Sequence, residues 1–453
     1  MRCESRSGSG TLQIQRLTPR MSPEDKVVVR PAIRIAGSVR PPGDKSISHR
    51  YAMLAALAPG RTRLQNFASG ADCASTVACV AALGCQVQRE ADRVEIEGLG
   101  PQLHAPAAAL DCGNSGSTMR MLAGIVAAQP FACEMIGDAS LNQRPMARVI
   151  APLTKMGARI KAAQGERPPL RIQGRQLKGI EYELPVASAQ VKSCLLFAGL
   201  LAEGRTTVIE PARTRDHGEL ALRAFGAEIQ TETKTRGSAS IVGGQPLHAV
   251  EAAIPGDISS AAFFLCAAAV LPGSNLIVDE VLLNPTRAQL LDVLTQMGAR
   301  VSVLNIEDRH GEVTGTLQIE AGMLRGARIS GALTAALIDE LPVLAAIAPF
   351  TERGVEIRDA RELRVKESDR IAAVAQNLRR MGAGVEELLD GLIIPGGQQL
   401  HGAELESAGD HRIVMAFAIA ALAAEGESVI CGADAARISF PEFFEMLERV
   451  SER

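Results

Sequence analysis

Apolar positions along the chain follow two recurring patterns. The first is an Ala/Leu-rich stretch, apolar on nearly every face, that stops at Gly or Pro and runs into alternating, β-branched sequence. It reads "ALAPGRTRLQNF", "IVAAQPFACEMI", "LLAEGRTTVIE", "AVLPGSNLIVDE", "PFTERGVEIRD" and "ALAAEGESVICG". The punctuating residues Gly60, Pro130, Gly204, Gly273, Gly354 and Gly426 lie about 70 to 80 residues apart. Glycine after a helix suits the left-handed position that closes it, and the β-branched residues beyond suit a strand. The second pattern is an amphipathic helix ending at Gly84 ("ALGCQV"), Gly157 ("KMGARI"), Gly226 ("AFGAEI"), Gly298 ("QMGARV") and Gly382 ("RMGAGV"). A sixth copy falls near residue 450, where "FPEFFEMLERV" supplies the helix and the chain is expected simply to end. The phase predicts six copies of a two-helix, multi-strand unit, split three and three, in an α/β protein of two pseudo-symmetric domains.

Polar residues fall in phase with this repeat. Ahead of the Ala-rich helices stand Lys45-Ser46, Asn114-Ser115-Gly116-Ser117-Thr118, Ser188-Ala189-Gln190, Asp257-Ile258-Ser259-Ser260, Asp339-Glu340 and Asp410-His411-Arg412. Each cluster is thus placed at a helix N-terminus, where unpaired N–H groups and the helix dipole favour anions. Ser, Asn and Asp there are also plain caps. Capping does not require Lys45, Arg50, Gln190 or Arg412, and that surplus of cations and donors points to a bound anion. The first cluster sits in "RPPGDKSISHR", ahead of a helix marked by Ile47, Tyr51, Leu54 and Ala58.

Composition narrows the function classes. The net charge of −3 offers no basic field for nucleic acid or anionic membrane, and 3% aromatic residues with no Trp leave no stacking platform for bases. The nine cysteines are scattered without C-x-x-C, and the seven histidines show no H-E-x-x-H spacing, so neither disulfides nor metal are expected. The longest apolar run, "AAFFLCAAAVL", is too short for a bilayer. Residues 1 to 26 are polar, rich in Arg and Ser and without a secretory core; they are expected to form a disordered extension of a cytoplasmic protein.

With these motifs in hand the chain resembles the 5-enolpyruvylshikimate-3-phosphate synthase family. "PPGDKSISHR", "DCGNSGSTMRMLAG", "GDASLNQRPM", "ASAQVKSCLLFAGL", "TRDHGE", "PGDISSAAFF", "LRVKESDR" and "GDHRIVMA" occur in the family's order from about Ile33 onward. The resemblance implies an inside-out α/β barrel in each of two domains, each of three βαβαββ units, with an interdomain active site. The domains would be 44–253, and 27–43 plus 254–453. It implies enolpyruvyl transfer from phosphoenolpyruvate to the 5-hydroxyl of shikimate 3-phosphate, with release of phosphate and without metal or cofactor. A monomer is expected, with these small molecules as its partners.

The same resemblance implies the site. Lys45 would touch both substrates. Ser46, Arg50, Ser188, Ala189, Gln190, Arg215, Asp339 and Lys366 would hold shikimate 3-phosphate. Asn114, Gly116, Arg144, Gln190, Arg370 and Arg412 would hold phosphoenolpyruvate. Bidentate arginine suits both phosphate and carboxylate. Asp339 would activate the hydroxyl, and Glu367, assisted by Lys45, would protonate the methylene carbon. Arg120 is expected only to brace its loop, Pro145 to open a helix at its first position, and His49 to pack. Asp216 and His217 are expected to hold a loop, and Asp369 to orient a neighbour. Two departures stand out: Gly218 where Thr is common, and Ile438 where many relatives place a lysine. Ile438, with "IGDASL" and "ASAQVKS", resembles the branch called class II, whose members differ in response to glyphosate.

Two rivals remain on sequence grounds. The sister family that transfers enolpyruvate to UDP-N-acetylglucosamine carries a loop cysteine, which "GDASLNQRPM" lacks. A non-catalytic phosphometabolite binder would gain nothing from buried carboxylates such as Asp339 and Glu367.

Overall fold

A computed structural model describes residues 25–232 and 237–453. The extension expected over residues 1 to 26 lies, up to residue 24, outside the described residues. Helices come in pairs: α1 (Lys45–Leu57) with α2 (Ala71–Ala82), α3 (Gly116–Ala127) with α4 (Ala147–Lys155), α5 (Ala189–Leu200) with α6 (His217–Ala224), and α7 (Ile258–Val270) with α8 (Gln289–Met297). The one-turn α9 (Ala332–Ala336) precedes α10 (Leu341–Ile347) and α11 (Arg370–Arg380), and the last pair is α12 (His411–Leu422) and α13 (Phe443–Val450).

The first helix of each pair is the Ala-rich one, and it runs through a core. Every residue of α7 from Ile258 to Ala269 is buried, as is every residue of α12. A helix apolar on all faces can be stable only when surrounded. Truncating one of its large side chains, Phe264→Ala, is expected to cost about 3–5 kcal/mol. The second helix of each pair is amphipathic: α4 buries Val149, Ile150, Pro152 and Leu153 and leaves its other face to solvent. The five glycines expected to close these outer helices all adopt φ between +91° and +113°.

Six sheets answer to six units. In the second, Leu110–Asp111 runs parallel to Ala132–Ile136, and the hairpin Arg159–Ala163/Arg167–Gln173 completes it. In the first, the edge strand comes from far along the chain: Glu251–Ala253 lies parallel to Gly60–Gln65, with Ala252 opposite Leu64. That long-range pairing closes the first half on itself. Arg34–Val39 plays the same part in the second half, parallel to Asn275–Leu282. The sixth unit does not simply stop after its helix. Ser451–Glu452 adds a short strand antiparallel to Arg34–Val39, and Lys26–Val29 pairs antiparallel with Ser428–Cys431. In place of a hairpin the sixth sheet takes one strand, Lys26–Val29, from the other end of the described chain.

Two hydrophobic cores result, one spanning Ile47 to Ile254 with Leu282, the other combining Val29–Val39 with Ile258–Val450. The chain crosses between them twice, side by side. Asp44 N donates to Pro255 O at 2.7 Å and Asp257 N to Pro42 O at 2.8 Å, around a Gly43–Gly256 bridge. Gly43 is required there, because a Cβ would lie 1.7 Å from the Asn66 carbonyl oxygen.

Candidate active site

The crossing strands deliver α1 and α7 with their N-termini adjacent to the cleft between the halves, and the other inner helices end around the same space. Lys45 and Ser46 are not ahead of α1, as the sequence suggested, but form its first turn. Asp44 is the cap and accepts from Ile47 N at 2.9 Å. The same shift applies to Arg412, whose backbone N donates to the capping carboxylate of Asp410 at 2.9 Å. The side chains therefore project from the mouth while short acids satisfy the backbone.

On the first-half wall, the Lys45 ammonium lies 3.1 Å from Asp72, a partner that sequence reasoning missed. Its signal was present, since Asp72 stands in the first turn of α2 just after the glycine cap Gly70. Burial opposes the Lys45 charge, but Asp72 and then Glu367 outweigh both burial and the nearby Arg412, and its pKa is raised. Arg50, whose pKa burial lowers to about 10, donates to Ser193 Oγ (3.0 Å), Ser46 O (2.8 Å) and Ala189 O (3.4 Å). Gly218 makes that arrangement possible, because a Cβ there would sit 2.6 Å from Ser193 Oγ. Ser188 caps α5. Gln190 donates to Ser117 Oγ at 2.8 Å and accepts from Arg120 at 2.9 Å, so Arg120 braces Gln190 as well as its own loop.

The α3 mouth is built around Gly116. A Cβ at this position would lie 3.0 Å from an Arg120 guanidinium nitrogen and 3.4 Å from one of Arg144. Arg144 donates to Asn114 Oδ1 at 2.8 Å and reaches across the cleft to Glu367 at 3.3 Å. Pro145 is not the first helical residue. Arg144 closes a 3-10 turn in extended conformation, as a residue before proline must, and α4 begins only after its cap Met146.

The second-half wall carries the carboxylates. Arg215, from the first half, donates to Asp339 Oδ2 at 2.7 Å. The other oxygen of Asp339 faces Lys366 (3.7 Å), Arg370 (3.7 Å) and Arg412 (3.8 Å). Burial alone would raise its pKa, but Arg412, Lys366, Arg215 and Arg370 together hold it well below the usual carboxylate range. Glu367 behaves alike: against burial, Arg370 at 2.7 Å and Arg144 keep it ionised. Arg370 is itself clamped by Asp410 through bonds of 2.8 and 3.2 Å, a role for Asp410 beyond capping. Burial lowers the Lys366 pKa, and Asp339 only partly offsets this.

The residues expected to be supporting take such places. His49 is buried and contacts Thr76 Oγ1 at 2.6 Å. Asp216 accepts from Asn284 at 2.9 Å, and His217 meets Glu312 at 2.6 Å, tying the loop of Arg215 to the second half. Asp369 caps α11 and accepts from Arg364 at 2.7 Å. Arg437 is exposed, and Ile438 packs against the second core, so neither stands in for a cleft lysine. No group of three or more His, Cys, Asp or Glu fit to hold a metal occurs among the described residues.

Two mouths rich in cations, each facing a buried carboxylate, form a site for polyanions with acid–base groups at hand. The sequence matches the family model for EPSP synthase (3-phosphoshikimate 1-carboxyvinyltransferase) over residues 29–447. The chain belongs to this family. It is 60% identical over 428 residues to the 3-phosphoshikimate 1-carboxyvinyltransferase of Koribacter versatilis (strain Ellin345), covering 94% of this chain and 99% of that protein. Identity to the protein of the same name from Solibacter usitatus (strain Ellin6076) is 53% over 425 residues, covering 94% of this chain and 99% of that protein. A solved EPSP synthase from Acinetobacter baumannii superposes with a TM-score of 0.84 at 41% identity, covering 94% of this chain and 98% of that one. The two-domain inside-out α/β architecture is that of these EPSP synthases. No described helix is long and apolar enough to cross a membrane.

Proposed function

We propose that this EPSP synthase family member transfers the enolpyruvyl group of phosphoenolpyruvate to the 5-hydroxyl of shikimate 3-phosphate, in the cytoplasm. The observation that carries the reading is the meeting of Lys45, Arg144 and Arg215 from one half with Asp339, Lys366, Glu367, Arg370 and Arg412 from the other. The working domains are 44–253, and 27–43 with 254–453; the two separate cores support this division, although Ile254 and Leu282 pack in the first. Shikimate 3-phosphate takes Ser46, Arg50, Ser188, Ala189, Gln190, Arg215 and Lys366. Phosphoenolpyruvate takes Asn114, Gly116, Arg144, Gln190, Arg370 and Arg412. Lys45 touches both.

Asp339 then accepts the proton of the 5-hydroxyl as its oxygen bonds to C2 of phosphoenolpyruvate, and Glu367 donates a proton to C3. The tetrahedral adduct collapses by breaking the C2–O bond to phosphate, and C3 returns a proton to the Glu367 carboxylate. A carboxylate held as firmly ionised as Glu367 is a poor acid. Substrate anions that draw Arg144 and Arg370 onto themselves remove the charges that depress its pKa and bring it toward a working range. Mixing enzyme with both substrates and following inorganic phosphate tests the reading. Phosphate release with shikimate 3-phosphate, and none with UDP-N-acetylglucosamine as acceptor, is expected. The reverse preference, or no release at all, would overturn it.

A further inference from the structure

One ion pair crosses between the halves beside the site, its carboxylate within electrostatic reach of Lys366 and Arg120. Arg148 Nη1 and Nη2 donate to the two carboxylate oxygens of Glu362 at 3.0 and 3.2 Å, a fork-to-fork contact between the first half and the second. Arg148 is the second residue of α4, where the positive end of the helix dipole disfavours a cation. No acidic residue in that first turn compensates it. Its position is thus not explained by its own helix. Glu362 lies in the 3-10 turn Arg361–Val365, which Arg364 already fastens to the second half by bonds to Leu389 O (2.9 Å) and Asp369 (2.7 Å). Nor, then, does the turn need Glu362 in order to fold.

Chain spacing gives the pair its consequence. Arg148 stands four residues after Arg144, across the short extended link that leads into α4, and Glu362 stands five residues before Glu367. Arg144 and Glu367 meet at 3.3 Å inside the cleft, so the two pairs are successive rungs between the same two segments. We propose that Arg148 and Glu362 are a positioning pair, whose fork contact at the mouth sets the separation at which Arg144 faces Glu367 over phosphoenolpyruvate. This rests on the enolpyruvyl transfer proposed above. Both side chains are partly exposed, 36% and 41%, so the contact is salt-sensitive and weak enough to form and break with the cleft.

Charge reversal tests the pair: Arg148→Glu, Glu362→Arg and the double exchange. Each single reversal replaces an attraction with a repulsion and should lower kcat/KM for phosphoenolpyruvate by about tenfold, with the thermal midpoint unmoved. The double exchange restores the attraction with inverted polarity and should recover most of the loss. Small-angle scattering of the same proteins without substrate reads the mouth independently of chemistry: the single reversals should be more open, and the exchange as compact as the wild type. Single reversals with wild-type kcat/KM and wild-type scattering would overturn the proposal. So would an exchange no better than the worse single variant. A wild-type protein that releases no phosphate from the two substrates would instead overturn the reaction, and the scattering series would still decide the pair.

Discussion

The cleft and the hinge are both built from buried carboxylates and arginine, in opposite proportions. In the cleft, Asp339 alone is faced by Arg215, Lys366, Arg370 and Arg412, and Glu367 by Arg144 and Arg370. At the hinge, where the chain crosses between halves, Arg287 alone faces Asp44 (3.5 Å), Asp257 (3.4 Å) and Glu340 (4.0 Å). Titration sets Asp257 apart from the cleft acids, while the pKa of its hinge neighbour Asp44 is still lowered, its burial being outweighed by Arg287 and then His217. Asp339 and Glu367 are held well below their usual range, whereas Asp257 is pushed up to about 6, chiefly by burial and then by Asp44. Cations outnumber acids around Asp339 and Glu367, where the proposed substrates would place their phosphate and carboxylate groups. The hinge keeps a deficit, and it has no charge to offer a phosphate.

Arg287 is expected to be the most sensitive position of either region. Arg287→Ala removes the ion-pair partner that three buried acids share and should destabilise the fold by about 3–5 kcal/mol, read by denaturant unfolding. Arg412→Ala removes one cleft cation among several and should leave stability nearly unchanged while phosphoenolpyruvate binding falls. Equal stability losses in the two variants would erase the distinction between hinge and cleft. Glu367→Gln comes next: turnover should fall roughly 10²-fold or more while shikimate 3-phosphate binding stays nearly intact. A loss under about threefold would assign carbon protonation to another group.

Gly116→Ala sharpens the cleft side. The added methyl would press on Arg120 and Arg144, at 3.0 and 3.4 Å, and narrow the cradle with little change in charge. Glyphosate, longer than phosphoenolpyruvate, should lose roughly tenfold or more in inhibition while the phosphoenolpyruvate KM moves less. Inhibition curves at fixed shikimate 3-phosphate compare the two. The smallest effect is expected at Asp257. A folded-state pKa of about 6, above the ordinary 3.8, means that the folded protein keeps a proton that the unfolded chain has shed. This group's contribution to stability therefore falls as pH rises from about 4 to about 6 and stays lost above. Asp257→Asn should accordingly raise the melting temperature by a few degrees more at pH 7.5 than at pH 5, and a larger gain at pH 5 would reverse the sign.

Much of the repeat was legible because each unit ends its helices in the same way. Gly84, Gly157, Gly226, Gly298 and Gly382 all take the left-handed conformation expected of them. What could not be read was the pairing between distant units. Glu251–Ala253 beside Gly60–Gln65, and Ser451–Glu452 beside Arg34–Val39, are set by closure of each half and leave no local pattern. At the site, the cations announced themselves because capping does not require them. The acids that govern them did not. Asp44, Asp72 and Asp410 look in sequence like ordinary residues at helix starts, and only the fold reveals that Asp72 holds Lys45 and that Asp410 holds Arg370. Pro145 shows the converse, since a helix-opening residue stands in the extended link between a 3-10 turn and the start of α4.

The central claim is that the cation-rich cleft lets Glu367 deliver a proton to the methylene carbon of phosphoenolpyruvate. Turnover in deuterated water, with the product examined by proton NMR, tests it most directly. Solvent deuterium should enter the enolpyruvyl methylene of the wild-type product, and Glu367→Gln should lose deuterium incorporation and phosphate release together. Phosphate released with no deuterium in the methylene, or incorporation undiminished in Glu367→Gln, would contradict the account.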